Sequence, residues 1–154
     1  MGWSVIPVGE DKKPLVKWKP YQERLPTEDE VRRWFGERVA EEDYPLAGIA
    51  LICGSVSGGV YALDVDPRNG GTLEGKSLPG GPHSRTLHDG GGHYFFSSDI
   101  RLAKRQGILP GVDFQGERSI VVLPPPTPGY TWLEEPAGEL PELPTWVIKA
   151  HRHP

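Results

Sequence analysis

Three short apolar runs, each ending or beginning at an ionisable side chain, constrain this chain most. They are Tyr61-Ala-Leu-Asp-Val-Asp66, Gly90-Gly-Gly-His-Tyr-Phe-Phe96 and Gly111-Val-Asp-Phe-Gln-Gly116. Apolar runs of this length bounded by glycine read as β-strands. Alternate side chains on a strand share a face, so Asp64 and Asp66 project together, roughly 6–7 Å apart at Cα. Leu63 and Val65 then point the other way, into a core. In the third run Val112 and Phe114 face the core while Asp113 and Gln115 face outward. Paired carboxylates repel unless a cation compensates them. They are also the hard oxygen ligands that Mg²⁺ or Mn²⁺ takes, and a nearby histidine that can touch a phosphate completes a set suited to metal-assisted phosphoryl transfer.

Each fragment also has a plain structural reading. Asp66 fits the start of the turn Pro67-Arg-Asn-Gly70, where Asp is common. His93 fits a half-exposed strand position after a glycine turn, and Asp113 an ordinary exposed strand position. The ordered set carries the chemical reading, since short motifs taken singly are weak.

The rest of the chain supplies a frame. Trp3-Ser-Val-Ile-Pro-Val8 reads as a first strand. Thr27-Glu-Asp-Glu30 is a capping box, and Val31, Trp34 and Phe35 follow at helical spacing, which predicts a helix over about 28–39. Ala47 to Cys53 reads as a buried strand, paired through the turn Gly54–Gly59 with Val60 to Asp66 as a hairpin. Residues 67–82 read as a Gly/Pro loop with at most one helical turn. Ser84–Leu87 and His93–Ser97 read as a second hairpin, Ile100–Gln106 as a short helix, and Val112–Gln115 with Ser119–Leu123 as a third strand pair. Pro124-Pro-Pro-Thr-Pro128 is irregular because proline removes ladder donors, and Tyr130–Leu133 is a last short strand. The acidic, Pro-rich stretch from Glu134 reads as a linker or loosely docked tail, with Pro144–Lys149 as an amphipathic segment folding back.

At 154 residues, 36% of them hydrophobic, the chain suits one core. Its one cysteine, Cys53, excludes an internal disulfide framework and a cysteine-based zinc site. It lies in an apolar run and reads as buried and inert. No run approaches the roughly 18 apolar residues of a membrane span, and the N-terminus shows no basic secretory region, so a cytoplasmic protein with no membrane partner is expected. A net charge of −4 argues against simple coating of nucleic acid.

Other side chains are open to two readings. Lys12, Lys13, Lys17 and Lys19 interleave with Trp18 and Tyr21, as a phosphate-binding or template-stacking patch does, and equally as a solvated face does. Arg85 suits bidentate contact with a triphosphate or the bare surface. Tyr61, Tyr94 and Phe95 are the aromatic candidates for sensing a ribose. His151-Arg-His153 has metal-like spacing but reads as solvated tail, and His83 and His88 receive no role.

Taken together, these residues resemble the archaeo-eukaryotic primase superfamily, and within it the N-terminal catalytic domain of bifunctional DNA primase–polymerases. The acids and His93 are not alone in this. Gly2–Val8, Lys12-Lys-Pro14, Trp18 and the Trp34-Phe35 helix resemble its N-terminal module. Thr86 to Phe96, with Gly91-Gly92-His93, resembles its histidine motif, and Ser119–Pro125 with Tyr130 and Trp132 its closing strands. The resemblance covers about residues 2–133. It implies an α+β, two-layer fold of mostly antiparallel sheets, an RNA-recognition-motif-like half joined to an N-terminal αβ module with the site between them. Residues 1–133 would be the catalytic domain and 134–154 the tail or linker. Asp64, Asp66 and Asp113 would hold two divalent ions, Mg²⁺ or Mn²⁺. His93 would contact the phosphates of an incoming nucleotide, with Arg85, Gly92, Lys13 and Lys17 as further nucleotide-binding candidates. The implied partners are a single-stranded DNA template, NTPs or dNTPs, and a helical primase or helicase domain outside this chain. Residues 67–82 depart from the family in being short and glycine-rich, and Pro126 stands where relatives often have Ser. A metal-dependent nuclease and a non-catalytic single-strand or nucleotide-binding module remain the alternatives.

Overall fold

The computed structural model describes residues 2–86, 90–124 and 127–152. It is an α+β fold with two antiparallel sheets. The smaller sheet has the order β1-β2-β8, from Ser4–Val8, Gly48–Ile52 and Ile120–Leu123. The larger has the order β6-β7-β3-β5-β4-β9, from Arg105–Leu109, Val112–Gln115, Val60–Val65, Gly92–Ser97, His83–Arg85 and Thr131–Glu134. Helix α1 is Glu28–Phe35 and helix α2 is Thr145–Arg152.

The layers follow from which faces are apolar. Leu51, Val121 and Leu123 of the small sheet meet Val60, Ala62 and Phe95 of the large one, forming a core between the sheets. The outer face of the small sheet, with Ile6, Val8, Ala50 and Ile52, is closed by Trp34 of α1 and by Tyr21. The outer face of the large sheet, with Tyr61, Leu63, Val65 and Phe114, is closed by Leu143 and by Val147 of α2.

The capping box forms as the sequence predicts. The Thr27 hydroxyl accepts from the Glu30 amide at 3.1 Å, and the Glu30 carboxylate accepts from the Thr27 amide at 2.9 Å. Glu30 also accepts from Arg24 and from the Tyr21 hydroxyl, which fastens α1 to the preceding 3-10 turn. The helix stops at Gly36, short of the expected residue 39, and a separate 3-10 turn covers Glu37–Ala40.

Three expectations fail, two of them for one reason. β2 and β3 do not form a hairpin: β2 lies between β1 and β8, and β3 between β5 and β7. Nor do β7 and β8 pair, since they too belong to different sheets. β2 and β3 are each buried at all but one position, so each needs a neighbour on both edges and a layer on both faces. β1 and β8 take both edges of β2, and β5 and β7 take both edges of β3, so neither strand has an edge left for the other. The link Gly54–Gly59 lets the chain cross between sheets, with Gly54, Gly58 and Gly59 all at positive φ. β7 instead pairs with β6, through the turn at Pro110 and Gly111. The third failure is the helix expected over Ile100–Gln106. That segment is irregular and then enters edge strand β6, where the register shifts between Arg105 and Leu109.

The hairpin of β4 and β5 is present, with Ser84 opposite His93. One 3-10 turn, Pro67–Asn69, opens the loop that follows β3. The stretch read as a tail carries α2. The Ser97 amide donates to the Pro141 carbonyl, the Leu143 amide donates to the Ser97 carbonyl, and Trp146 Nε1 donates to the Ser77 carbonyl. His151 Nε2 donates to the Ala103 carbonyl at 2.8 Å and its ring sits edge-on to Phe114, so it is docked rather than solvated. His88, Pro126 and His153 lie outside the described residues. Among the described residues no helix is long and apolar enough to cross a membrane.

Candidate active site

Register places the ionisable residues. Asp64 on β3 is paired with His93 on β5 and with Asp113 on β7. Their strand neighbours Leu63, Tyr94 and Phe114 turn toward α2, so Asp64, His93 and Asp113 form one row across three central strands on the opposite face. On that face Ala62 and Phe95 lie beneath the small sheet. Two residues along β3 the cover ends, and the row borders a cavity of about 550 Å³ that Asp66, Arg68 and Tyr130 also line.

His93 is held tightly. It is 6% exposed, edge-on to Phe95 and stacked with Tyr130, both at 6.3 Å between centroids. Its Nε2 lies 3.3 Å from the Asp64 carboxylate. A carboxylate has only lone pairs to offer, which favours the tautomer with the proton on Nε2. Among the described residues Nδ1 is buried without a hydrogen-bond partner, as is the hydroxyl of the facing Ser84.

Asp113 is anchored from the edge strand. Its carboxylate accepts from the Gly107 amide at 2.8 Å. Gly107 has a φ of +66° and sits within the irregular stretch of β6, so a glycine there turns its N–H onto the site.

Asp66 lies just past β3 and caps the following turn. One oxygen accepts from the Arg68 backbone at 3.0 Å and from Arg68 Nε at 3.1 Å. The other accepts from Arg68 Nη2 at 3.2 Å and from Asn69 Nδ2 at 2.9 Å. The Arg68 guanidinium, foremost among these donors, holds the carboxyl below its ordinary range.

Tyr130 reaches the cavity from the chain between β8 and β9. Burial, and then the charge of Asp64, raise its phenol above its ordinary value. The Lys12 ammonium lies 5.8 Å from the centre of its ring. Lys12 has a φ of +64°, an uncommon conformation for a side chain of its size, in the turn after β1.

The structure therefore gathers Asp64, Asp66, Asp113 and His93 around one cavity. Gly92 is buried in β5 beside them, paired with Val65 and Arg85. Arg85 and Lys13 are exposed and do not line the cavity, and Lys17 borders a different one beside Tyr21 and Trp34. Of the aromatic candidates, Tyr61 and Phe95 are sealed in the core at 1% and 0% exposure, and Tyr94 stacks on His83 on the far face. None of the three meets the cavity. The sequence reading missed Arg68, seen only as part of a turn, and Tyr130, which no spacing links to the acids. Cys53 is fully buried, and burial raises its thiol well above the usual range.

The family model for the N-terminal domain of bifunctional DNA primase/polymerases matches residues 1–146. The chain belongs to that family. No curated protein matches it. For this primase/polymerase domain a divalent metal is implied, and the donors can be tested against one. Among the described residues no three His, Cys, Asp or Glu side chains are gathered as a ready metal cluster. Asp64 and Asp113 are paired carboxylates on one face, and Mg²⁺ is commonly held by one or two carboxylates completed by water and substrate phosphates. That pair fits one such ion. Asp66 lines the same cavity, but its four acceptor positions are filled.

Proposed function

We propose that this domain carries out template-directed nucleotidyl transfer, making primers and extending them from NTPs or dNTPs during DNA replication. The observation that carries the reading is the row His93–Asp64–Asp113 across β5, β3 and β7, open to one cavity. Its volume of about 550 Å³ lies in the range of small-molecule sites.

In this reading the 3′-oxygen of a primer or initiating nucleotide bonds to the α-phosphorus of the incoming nucleotide. The bond from that phosphorus to the bridging oxygen breaks, pyrophosphate leaves and the hydroxyl proton passes to solvent. Asp64 and Asp113 are the residues to hold a divalent ion, which when bound neutralises phosphate charge and makes the hydroxyl easier to deprotonate. The Gly107 amide fixes the Asp113 carboxylate. His93 Nε2–H points to the Asp64 carboxylate, and it becomes a donor for a phosphate oxygen once that carboxylate turns to the ion. Tyr130 closes over His93 and shields it from water. No side chain stands as a covalent nucleophile in this scheme, so the rate gain comes from positioning and electrostatics.

The test is incorporation of labelled dNTP and NTP on a single-stranded template, with and without an annealed primer, in Mg²⁺ or Mn²⁺. An Asp64→Ala/Asp113→Ala variant runs alongside. Product that the variant lacks supports the polymerase, and product without primer supports the primase. Template shortening would indicate a nuclease. Binding of DNA or nucleotide without product in either metal would indicate a binding module.

A further inference from the structure

Arg68 is the one arginine that lines the cavity, among the described residues, and its guanidinium is spent on Asp66. Nε and Nη2 approach the two carboxylate oxygens in parallel, the bidentate geometry that arginine also uses on phosphate. The side chain is 61% exposed, so little packing holds it in that pose. Asp66 has all four acceptor positions filled, two of them by the Arg68 side chain. Were the guanidinium to leave, one position on each oxygen would open, while the Arg68 amide and Asn69 would still orient the carboxylate.

We propose that Arg68 is a triphosphate-binding residue of this site, and that its exchange from Asp66 to the nucleotide frees Asp66 as a further metal ligand. This rests on the nucleotidyl-transfer reading and adds an order to it. Without nucleotide, Asp64 and Asp113 offer a weak site and Asp66 is locked. With nucleotide, the arginine moves to the phosphates and a third carboxylate becomes available. Nucleotide and metal then raise each other's affinity by the same factor, as linkage requires.

The experiment uses Mn²⁺ and a non-hydrolysable deoxynucleoside triphosphate analogue. Mn²⁺ binding to the full chain is measured by electron paramagnetic resonance with and without the analogue, and analogue binding by calorimetry with and without Mn²⁺. The proteins are wild type, Arg68→Ala, Arg68→Lys and Asp66→Asn. Wild type is expected to bind Mn²⁺ about tenfold or more tightly when the analogue is present, the scale of one charge-assisted bidentate contact. Arg68→Ala is expected to bind Mn²⁺ more tightly than wild type in the absence of analogue, to bind analogue about tenfold or more weakly, and to show weaker coupling between the two. Arg68→Lys should recover part of the analogue affinity, since a single ammonium still meets phosphate. Asp66→Asn should show weaker coupling than wild type, keeping only what the phosphates give to an ion on Asp64 and Asp113, while retaining analogue binding through Arg68. The inference is overturned if Arg68→Ala matches wild type in both affinities, which would leave Arg68 as a residue that only closes the turn. It also falls if wild type binds analogue and metal with no coupling. If wild type binds neither, the nucleotidyl-transfer reading falls with it, and that result is distinct from the other two.

Discussion

Asp64 and Asp113 occupy paired positions on adjacent strands, with both carboxylates on the same face of the sheet and at the rim of one cavity. Like charges directly opposite one another in a sheet are destabilising by up to about 1 kcal/mol. Only His93, at 3.3 Å from Asp64, stands ready to offset them within the row. A pair placed at a cost to folding is a pair that a bound cation would stabilise.

Asp113→Asn tests this directly. The amide oxygen can still accept from Gly107, so the local fold is kept while one charge is removed. The melting temperature without divalent ions should be unchanged or higher, by no more than about 3 °C for a chain of this size. Wild type should gain stability on adding Mg²⁺ or Mn²⁺, and the variant should gain much less while losing incorporation activity. A variant with an undiminished metal-dependent gain in melting temperature would remove Asp113 from the metal site.

Glu30 sets an acid limit on the N-terminal module. Its carboxyl is held down to about 2 from 4.5, first by the Arg24 guanidinium, then by the Thr27 amide and the Tyr21 hydroxyl. A depressed folded-state value means that the stabilisation is fully present above the free value and is lost as pH falls toward the folded one. The stability gap between wild type and Glu30→Gln should therefore be constant above about pH 5 and shrink steadily from pH 4.5 to pH 2. Denaturant midpoints at half-unit steps would show it, and a gap independent of pH would contradict the assignment.

What the sequence made legible was local, and what it hid was non-local. Thr27 and Glu30 are three residues apart, and Leu63, Asp64 and Val65 report their faces by simple alternation, so the cap and the acid face could be read directly. The partners of β2 and β8 could not. Gly54–Gly59 and Gly116–Ser119 each join two apolar runs by a few turn residues, as hairpins do. Only the strand pairing, with β2 and β8 in one sheet and β3 and β7 in the other, shows that the chain changes sheets there. Edge strand β6 was invisible because Arg105-Gln-Gly-Ile-Leu109 has little burial and a glycine where the register shifts. Asp64, Asp113 and His93 were legible as a motif, whereas Tyr130 arrives through the long path from β8 to β9, which no spacing rule encodes.

Tyr130 is expected to act through its ring more than its hydroxyl. It covers His93 on one side and takes Lys12 toward its face. Aromatic contacts of this kind are worth about 0.5–1.5 kcal/mol, so Tyr130→Ala should raise the KM for nucleotide by up to about tenfold. Tyr130→Phe should stay close to wild type. Steady-state kinetics on both variants would separate the two, and an equal loss in Phe and Ala would point to the hydroxyl instead.

Val147 tests whether the C-terminal segment belongs to the core. It is 0% exposed and lies in one cluster with Leu63, Phe114 and Leu143 beneath the site strands. Around it, Trp146 Nε1 donates to the Ser77 carbonyl at 2.8 Å and Arg105 donates to the His151 carbonyl. Removing two buried carbons costs about 2 kcal/mol once the remaining cavity is included. Val147→Ala should thus lower the melting temperature by roughly 4–8 °C, and removal of residues 135–154 should lower it further, because it would bare the outer face of the strands that carry Asp64 and Asp113. A Glu139→Gln control on the exposed part of the same segment should change nothing measurable. If Val147→Ala matched that control in a thermal melt, α2 would be an appendage, and the positions of Asp64 and Asp113 would not depend on it.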